Sequence, residues 1–231
     1  MYEKETFIDK IGRLIGIAGN AILMNLLFLV SCIPVITIGQ AWSGLLSAVR
    51  YSIRGDKWQD GFKAGFKHRF LRGTVAWCIM LAVDVYFLLD VMGAYGAVST
   101  DPNATVPLIA ACVIFALAAM VTMALSLLNV YVPTPVGDWV RNAVNMVFKV
   151  PLELLVAAGL FWAPVITFLL WPGVFFYLLM IFVAAYFALI ASGTTLLMKN
   201  ALVHYLLQAR ADGNLLAEEG KTKETAKEED A

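Results

Sequence analysis

Four long apolar runs, separated by short charged segments, set the pattern of this chain: 14–49, 73–83, 106–136 and 154–198. The first, third and fourth contain no Asp, Glu, Lys or Arg. A water-soluble fold cannot hide that much continuous apolar surface, but a bilayer can. In lipid every backbone N–H and C=O must find a partner inside the protein, and a helix supplies those partners within one segment. The pattern predicts an all-α, polytopic transmembrane helical bundle.

Prolines and polar breaks divide the runs into spans. As one helix, 14–49 would reach about 54 Å, far more than a hydrocarbon core of ~30 Å. Pro34 sits near its middle, and proline removes a helical hydrogen bond and clashes with the preceding turn. The run therefore splits into helices over 14–32 and 35–53. The second carries Thr37, Gly39, Gln40, Ser43, Gly44 and Ser47, a composition suited to packing inside protein. Further spans are expected over 73–93, 107–132, 152–170 and 174–198, with breaks at Pro133, Pro135 and Pro172. The count is about six; five spans plus a re-entrant 35–53 also fit, because a hairpin in which both halves return leaves the sidedness unchanged. Residues 1–212 then form one membrane domain, and the Glu/Lys-rich 213–231 forms a charged, disordered tail.

Charge tests this count. The 17 Lys and Arg residues fall in the N-terminal segment, in 50–72, in 133–151 and from Lys199 onward. Six spans place all four segments on the cytoplasmic side, and the outer loops then carry no base. Trp171 and Tyr95 fall at the predicted outer boundary, Trp58 and Trp139 at the inner one. Gly12-x-x-x-Gly16 is a small-residue spacing that lets helices approach closely.

Composition narrows the function classes. The chain is 61% hydrophobic with zero formal net charge, which gives no case for nucleic-acid binding. Cys32, Cys78 and Cys112 each lie inside an apolar run, none in a C-x-x-C, and read as small buried hydrophobes. H-E-x-x-H, G-x-S-x-G, the P-loop and the dinucleotide fingerprint are all missing from the sequence. His68 and His204 have no ligand-spaced partners. No enzyme, metal or cofactor is expected.

Asp84 is the sharpest candidate. It falls near the centre of the third span, where a charge costs about 2.5–3.5 kcal/mol on insertion scales. It should be neutral, or hydrogen-bonded to Asn20, Asn25, Gln40 or Asn129. These five residues form a candidate intramembrane polar site, proton- or substrate-linked in one reading and a structural hydrogen bond in the other. Asp90 lies about 240° further round the helix and makes a poor catalytic pair with it. Glu153 suits a helix N-terminus. Pro-Val-Ile-Thr occurs at 34–37 and at 164–167, at different expected depths, and reads as chance.

A second candidate is the cytoplasmic segment 57–70. Trp58, Phe62, Phe66 and Phe70 recur every four residues, with Lys63 and Lys67 alongside. As one helix they form an apolar stripe that lies in the membrane interface or fills a groove on a partner.

Two stretches resemble a known family. Asn25-Leu26-Leu27-Phe28-Leu29-Val30-Ser31-Cys32-Ile33-Pro34-Val35-Ile36-Thr37-Ile38-Gly39 and Asp60-Gly61-Phe62-Lys63-Ala64-Gly65-Phe66-Lys67-His68-Arg69-Phe70 are similar to the YesL-like family of bacterial integral membrane proteins, a domain of unknown function. The resemblance implies the bacterial inner membrane and a supporting role near carbohydrate importers. It implies no ligand and no catalytic residue. The expected function is an accessory or transport-associated subunit linked to carbohydrate uptake, whose partners are the lipid bilayer and an importer or other membrane protein. The alternative is a structural or regulatory membrane scaffold.

Overall fold

The computed structural model describes residues 7–98, 101–132, 135–199, 203 and 207, with side chains from Gly16 onward except that of Pro102. The tail 213–231 and His204 lie outside the described residues. All regular structure among the described residues is helical: α1 (Phe7–Ser31), α2 (Ile38–Arg54), α3 (Trp58–Lys67), α4 (Phe70–Val98), α5 (Thr105–Tyr131), α6 (Val136–Lys149), α7 (Pro151–Leu170), α8 (Pro172–Ile181) and α9 (Phe187–Leu197), with a π-helical turn at Phe182–Tyr186 joining the last two. Four stretches are long and apolar enough to cross a bilayer: Phe70–Val98, Thr105–Tyr131, Pro151–Leu170 and Pro172–Leu197. Gly16–Ser31 is a shorter apolar helix. This is a membrane-embedded helical protein.

Pro34 acts as its chemistry predicts. α1 stops at Ser31, a 3₁₀ turn spans Val35–Thr37, and α2 begins at Ile38. Thr37 Oγ1 lies 2.6 and 2.7 Å from the carbonyls of Ser31 and Pro34, and its single proton serves one of them. One carbonyl freed at the break is thus paired without water. The other Pro-Val-Ile-Thr copy has a different fate, since Pro164 lies inside α7. Two segments between the expected spans differ from expectation. The segment 133–151 contains the helix α6. The segment 57–70 is two helices, because α3 ends at Lys67 and Arg69 adopts a left-handed φ of 46° before α4. Phe70 therefore does not continue the stripe of Trp58, Phe62 and Phe66.

The chain divides into two compact units. Met1–Lys67 with Phe161–Gly193 forms the first. Its centre is α2, where every residue from 39 to 49 is buried. At 17 residues α2 is about 25 Å long, short of a ~30 Å hydrocarbon core. Phe28 of α1 meets the Trp42 ring edge-on at 6.0 Å, and Phe161 of α7 meets it at 5.0 Å. Against the other side of α2 lies α3. Phe62 is buried, its backbone O and ring within 3.1–3.2 Å of where a Cβ on Gly44 would stand. Thus Phe62, at the middle of the apolar face proposed from sequence for lipid or a partner, is covered by the protein's own α2, while Trp58 and Phe66 stay half-buried. Gly61 and Gly65 make the approach possible, and Gly55 (φ 86°) turns the chain between the two helices.

His68–Leu160 with Thr194–Ala231 forms the second unit. In α4, Leu71, Val75, Ile79, Tyr86 and Leu89 are exposed, whereas Trp77, Asp84 and Leu88 are buried. The spacings put these sets on different sides of one helix: a lipid side and a packed side. α6 lies against α5: the Trp139 indole N–H donates to the Leu125 carbonyl at 3.0 Å, and the Arg72 guanidinium stands 4.1 Å over the ring. Trp139 is therefore a buried anchor of α6 on α5. Cys112 departs from expectation, being exposed on α5, while Cys32 and Cys78 are partly buried.

Candidate functional site

The first unit contains a discontinuous helix. From Pro172 to Leu197 the chain is apolar and nearly continuous, but Phe182–Tyr186 takes π geometry. A π turn shifts the hydrogen bond from i+4 to i+5, so backbone groups at its ends lose their regular helical partners. In a membrane these groups have no water to turn to. Asn25 of α1, wholly buried, supplies the partners. Its Nδ2 donates to the carbonyls of Phe182 (3.0 Å) and Val183 (2.7 Å), and its Oδ1 accepts from the N–H groups of Phe187 (2.9 Å) and Ala188 (3.2 Å). A carboxamide has two N–H groups and two acceptor lone pairs, so its full capacity serves this one turn. The rings of Phe28 and Phe187, 4.9 Å apart, close the contact.

A cavity of about 280 Å³ adjoins this turn, between α1, α2 and α9. Asn20 lies on its edge and accepts a 3.2 Å hydrogen bond from the Trp58 indole at the start of α3. Gln40 is buried in α2. Of the proposed polar set, the first unit thus contains Asn20, Asn25 and Gln40, each in a different setting.

Asp84 and Asn129 belong to the second unit. Asp84 is wholly buried, and its Oδ2 accepts from Thr122 Oγ1 of α5 at 2.8 Å. The partner is thus a hydroxyl and none of the four carboxamides expected. Thr122 Oγ1 also lies 3.1 Å from the Ala118 carbonyl, and Ser126 Oγ donates to the Thr122 carbonyl at 2.9 Å. Asp84 Oδ1 and Asn129 Oδ1 have no hydrogen-bond partner among the described residues. Asn129 is two turns beyond Thr122, on the same face of α5. The signal that could have found Thr122 was present: it is one of the few polar residues in the apolar run 106–136.

Removing the hydroxyl tests this contact. Thr122→Val leaves a buried carboxyl without a partner and is expected to cost about 1–3 kcal/mol. Asp84→Asn keeps an acceptor for Thr122 and should stay within about 1 kcal/mol of the wild type. Replacing both partners by apolar groups can be nearly neutral, so Asp84→Leu with Thr122→Val should recover most of the loss. Thermal midpoints in mild detergent read all three. A Thr122→Val midpoint equal to the wild type would remove the bond from the account of stability.

Among the described residues no group of three or more His, Cys, Asp and Glu side chains is placed to hold a metal. At the α3–α4 junction, desolvation and then the charges of Arg69 and Arg72 lower the His68 imidazole below its ordinary range, which favours the neutral ring. Asp90 is exposed on α4, and Glu153 occupies the first turn of α7.

Residues 21–91 match the family described as Protein of unknown function, DUF624. The YesL-like resemblance is consistent with that match. The matched stretch takes in Asn25, Gln40, Trp58, Phe62, Phe66, Phe70 and Asp84, and stops short of Thr122 and of the π turn. No curated protein and no solved structure matches the chain.

Proposed function

We propose that this protein is a multi-pass accessory subunit of the bacterial inner membrane that supports carbohydrate uptake by associating with an importer, with both termini cytoplasmic and no catalytic site of its own. One observation supports an accessory role over that of a carrier. Carriers turn the unwound backbone and half-helix ends of their broken helices toward substrate. Here the broken helix gives those groups to Asn25 of the same unit. The carbohydrate link is drawn from the YesL-like resemblance of 25–70, and the orientation from the one-sided Lys and Arg residues.

Purification in mild detergent, with identification of co-purifying proteins, tests the association. Membrane subunits of a sugar importer should be enriched over an unrelated membrane bait. Their absence, together with unchanged sugar uptake in a deletion strain, would overturn the proposal. The orientation has its own test. A reporter fused after Arg54 should read as cytoplasmic and one inserted at Asp101 as external. A cytoplasmic signal at Asp101 would sink the six-span arrangement.

A scaffold is the second reading, favoured by α6. Val136, Val140, Val144 and Phe148 are exposed at every fourth position, an apolar row that amphipathic helices offer to membranes and partners alike. Enrichment of membrane proteins other than importer subunits would favour it.

A further inference from the structure

We propose that the cavity between α1, α2 and α9 holds one acyl chain of an anionic phospholipid, with the phosphate held at Arg54 and Lys57. The size suits a chain segment. At about 280 Å³ the cavity exceeds the ~150 Å³ void that takes a benzene and falls just under the ~300–1,000 Å³ of drug-sized pockets. Its floor is Met24, Val49 and Ala188, all buried. Its rim is Ile17 and Ile53, 60% and 56% exposed, so it opens on an apolar surface.

Two of its polar atoms are already engaged. Asn20 Oδ1 accepts from the Trp58 indole, and Ser192 Oγ donates to the Ala188 carbonyl at 2.8 Å. A sugar entering here would surrender its hydration to a lining that is mostly Ile, Ala, Met and Val, which is costly for each hydroxyl. A hydrocarbon chain surrenders nothing, and it supplies the dispersion contacts that an empty cavity forfeits. In a bilayer such chains are always at hand.

Basic residues that follow the cavity lining in sequence carry the headgroup assignment. Ser52 and Ile53 line the cavity. Arg54 comes next, in the last turn of α2, and Lys57 lies just past the Gly55 turn; both are exposed. Asp56 lies between them, so the local balance is one positive charge. Trp58, at the cavity edge through Asn20, is the ring type that sits at headgroup level. Basic groups beside such a ring attract anionic lipid.

The test uses the full chain in phosphatidylcholine vesicles doped with phosphatidylglycerol bearing a photoreactive group near the end of one tail, adducts being mapped by mass spectrometry. Labelling at Met24 is expected to exceed that at Val113, on the exposed side of α5, by at least about fivefold. The same tail on phosphatidylcholine should label Met24 several-fold less, and Arg54→Gln with Lys57→Gln should erase that difference. Ala21→Phe fills the cavity and should bring Met24 labelling down to the Val113 level. Ser52→Leu fills it from the α2 side and serves if the first variant fails to fold. Met24 labelling no higher than at Val113, or unchanged in a folded filling variant, overturns the chain site. Equal labelling by the two lipids overturns the anionic headgroup. Loss of labelling on adding maltose, with no lipid change, would assign the cavity to a sugar instead.

Discussion

Asn25→Leu is expected to remove most of the folded protein from the membrane. The leucine is close in size, so packing loss is not the cause. Four hydrogen bonds go at once, and each ends on a backbone group of the Phe182–Ala188 stretch. A buried polar group left unsatisfied costs about 1–3 kcal/mol. Side-chain hydrogen bonds between membrane helices average only about 0.6 kcal/mol, because the separated helices find other partners. That relief is limited here, since a π turn fixes its own free groups in place. Partial recovery of α geometry can rescue some of the four. The net loss is then roughly 3–5 kcal/mol, a large share of the 5–15 kcal/mol that stabilises a typical protein. Asn25→Asp separates the contributions. It keeps an acceptor for Phe187 and Ala188 but sets oxygen against the Phe182 and Val183 carbonyls, and should also fail. Asn25→Ser, able to reach one partner at most, should fall between. Folded yield and thermal midpoint by size-exclusion in detergent measure all three. A Leu variant as abundant and as heat-resistant as the wild type would refute the bracing role of Asn25.

Much of this architecture is written in the one-dimensional pattern, and the reasons are local. Pro34 interrupts a run too long for one span and so separates α1 from α2, and the apolar runs 106–136 and 154–198 have few other ways to pair their backbone. The polar site was less readable. Asn25 can be picked out as a buried carboxamide, but its partner is a π turn made of Phe, Val, Ala and Tyr, and no composition marks that geometry. The Asp84 partner lay in plain view as Thr122, but a hydroxyl weighs less than a carboxamide when polar residues are counted. The stripe from Trp58 to Phe70 has true helical spacing, and only the left-handed turn at Arg69 breaks it. Periodicity identifies an apolar face; it does not say whether lipid, a partner or the same chain covers it.

Small residues give the sharpest case of that ambiguity, and the second large effect. Gly12-x-x-x-Gly16 has the spacing of a helix-packing motif, yet a Cβ on Gly16 or on Gly19 would meet nothing within 4 Å. The working motif is Gly61-x-x-x-Gly65 on α3. A Cβ on Gly65 would stand 2.5 Å from Ser47 Cβ and 2.6 Å from the Ser43 carbonyl, and would overlap Ser47 Oγ. On Gly61 it would stand 2.7 Å from Tyr51 Cγ and 2.9 Å from the Ser47 carbonyl. Real contacts of a Cβ are longer than 3 Å, and several of these atoms are backbone or Cβ, which no rotamer can move. Gly65→Val is therefore expected to separate α3 from α2, at a cost of about 3 kcal/mol, the upper part of the usual range for overpacking. It also uncovers the face of α2 that meets Phe62, so a lower thermal midpoint should come with faster proteolysis between Arg54 and Arg69. Gly65→Ala should show the same change in smaller measure. Gly16→Val is the control and should leave the midpoint within about 0.5 kcal/mol of the wild type, as surface substitutions usually do. If Gly16→Val proved the more damaging of the two, the packing of α3 on α2 would not be what holds this unit together.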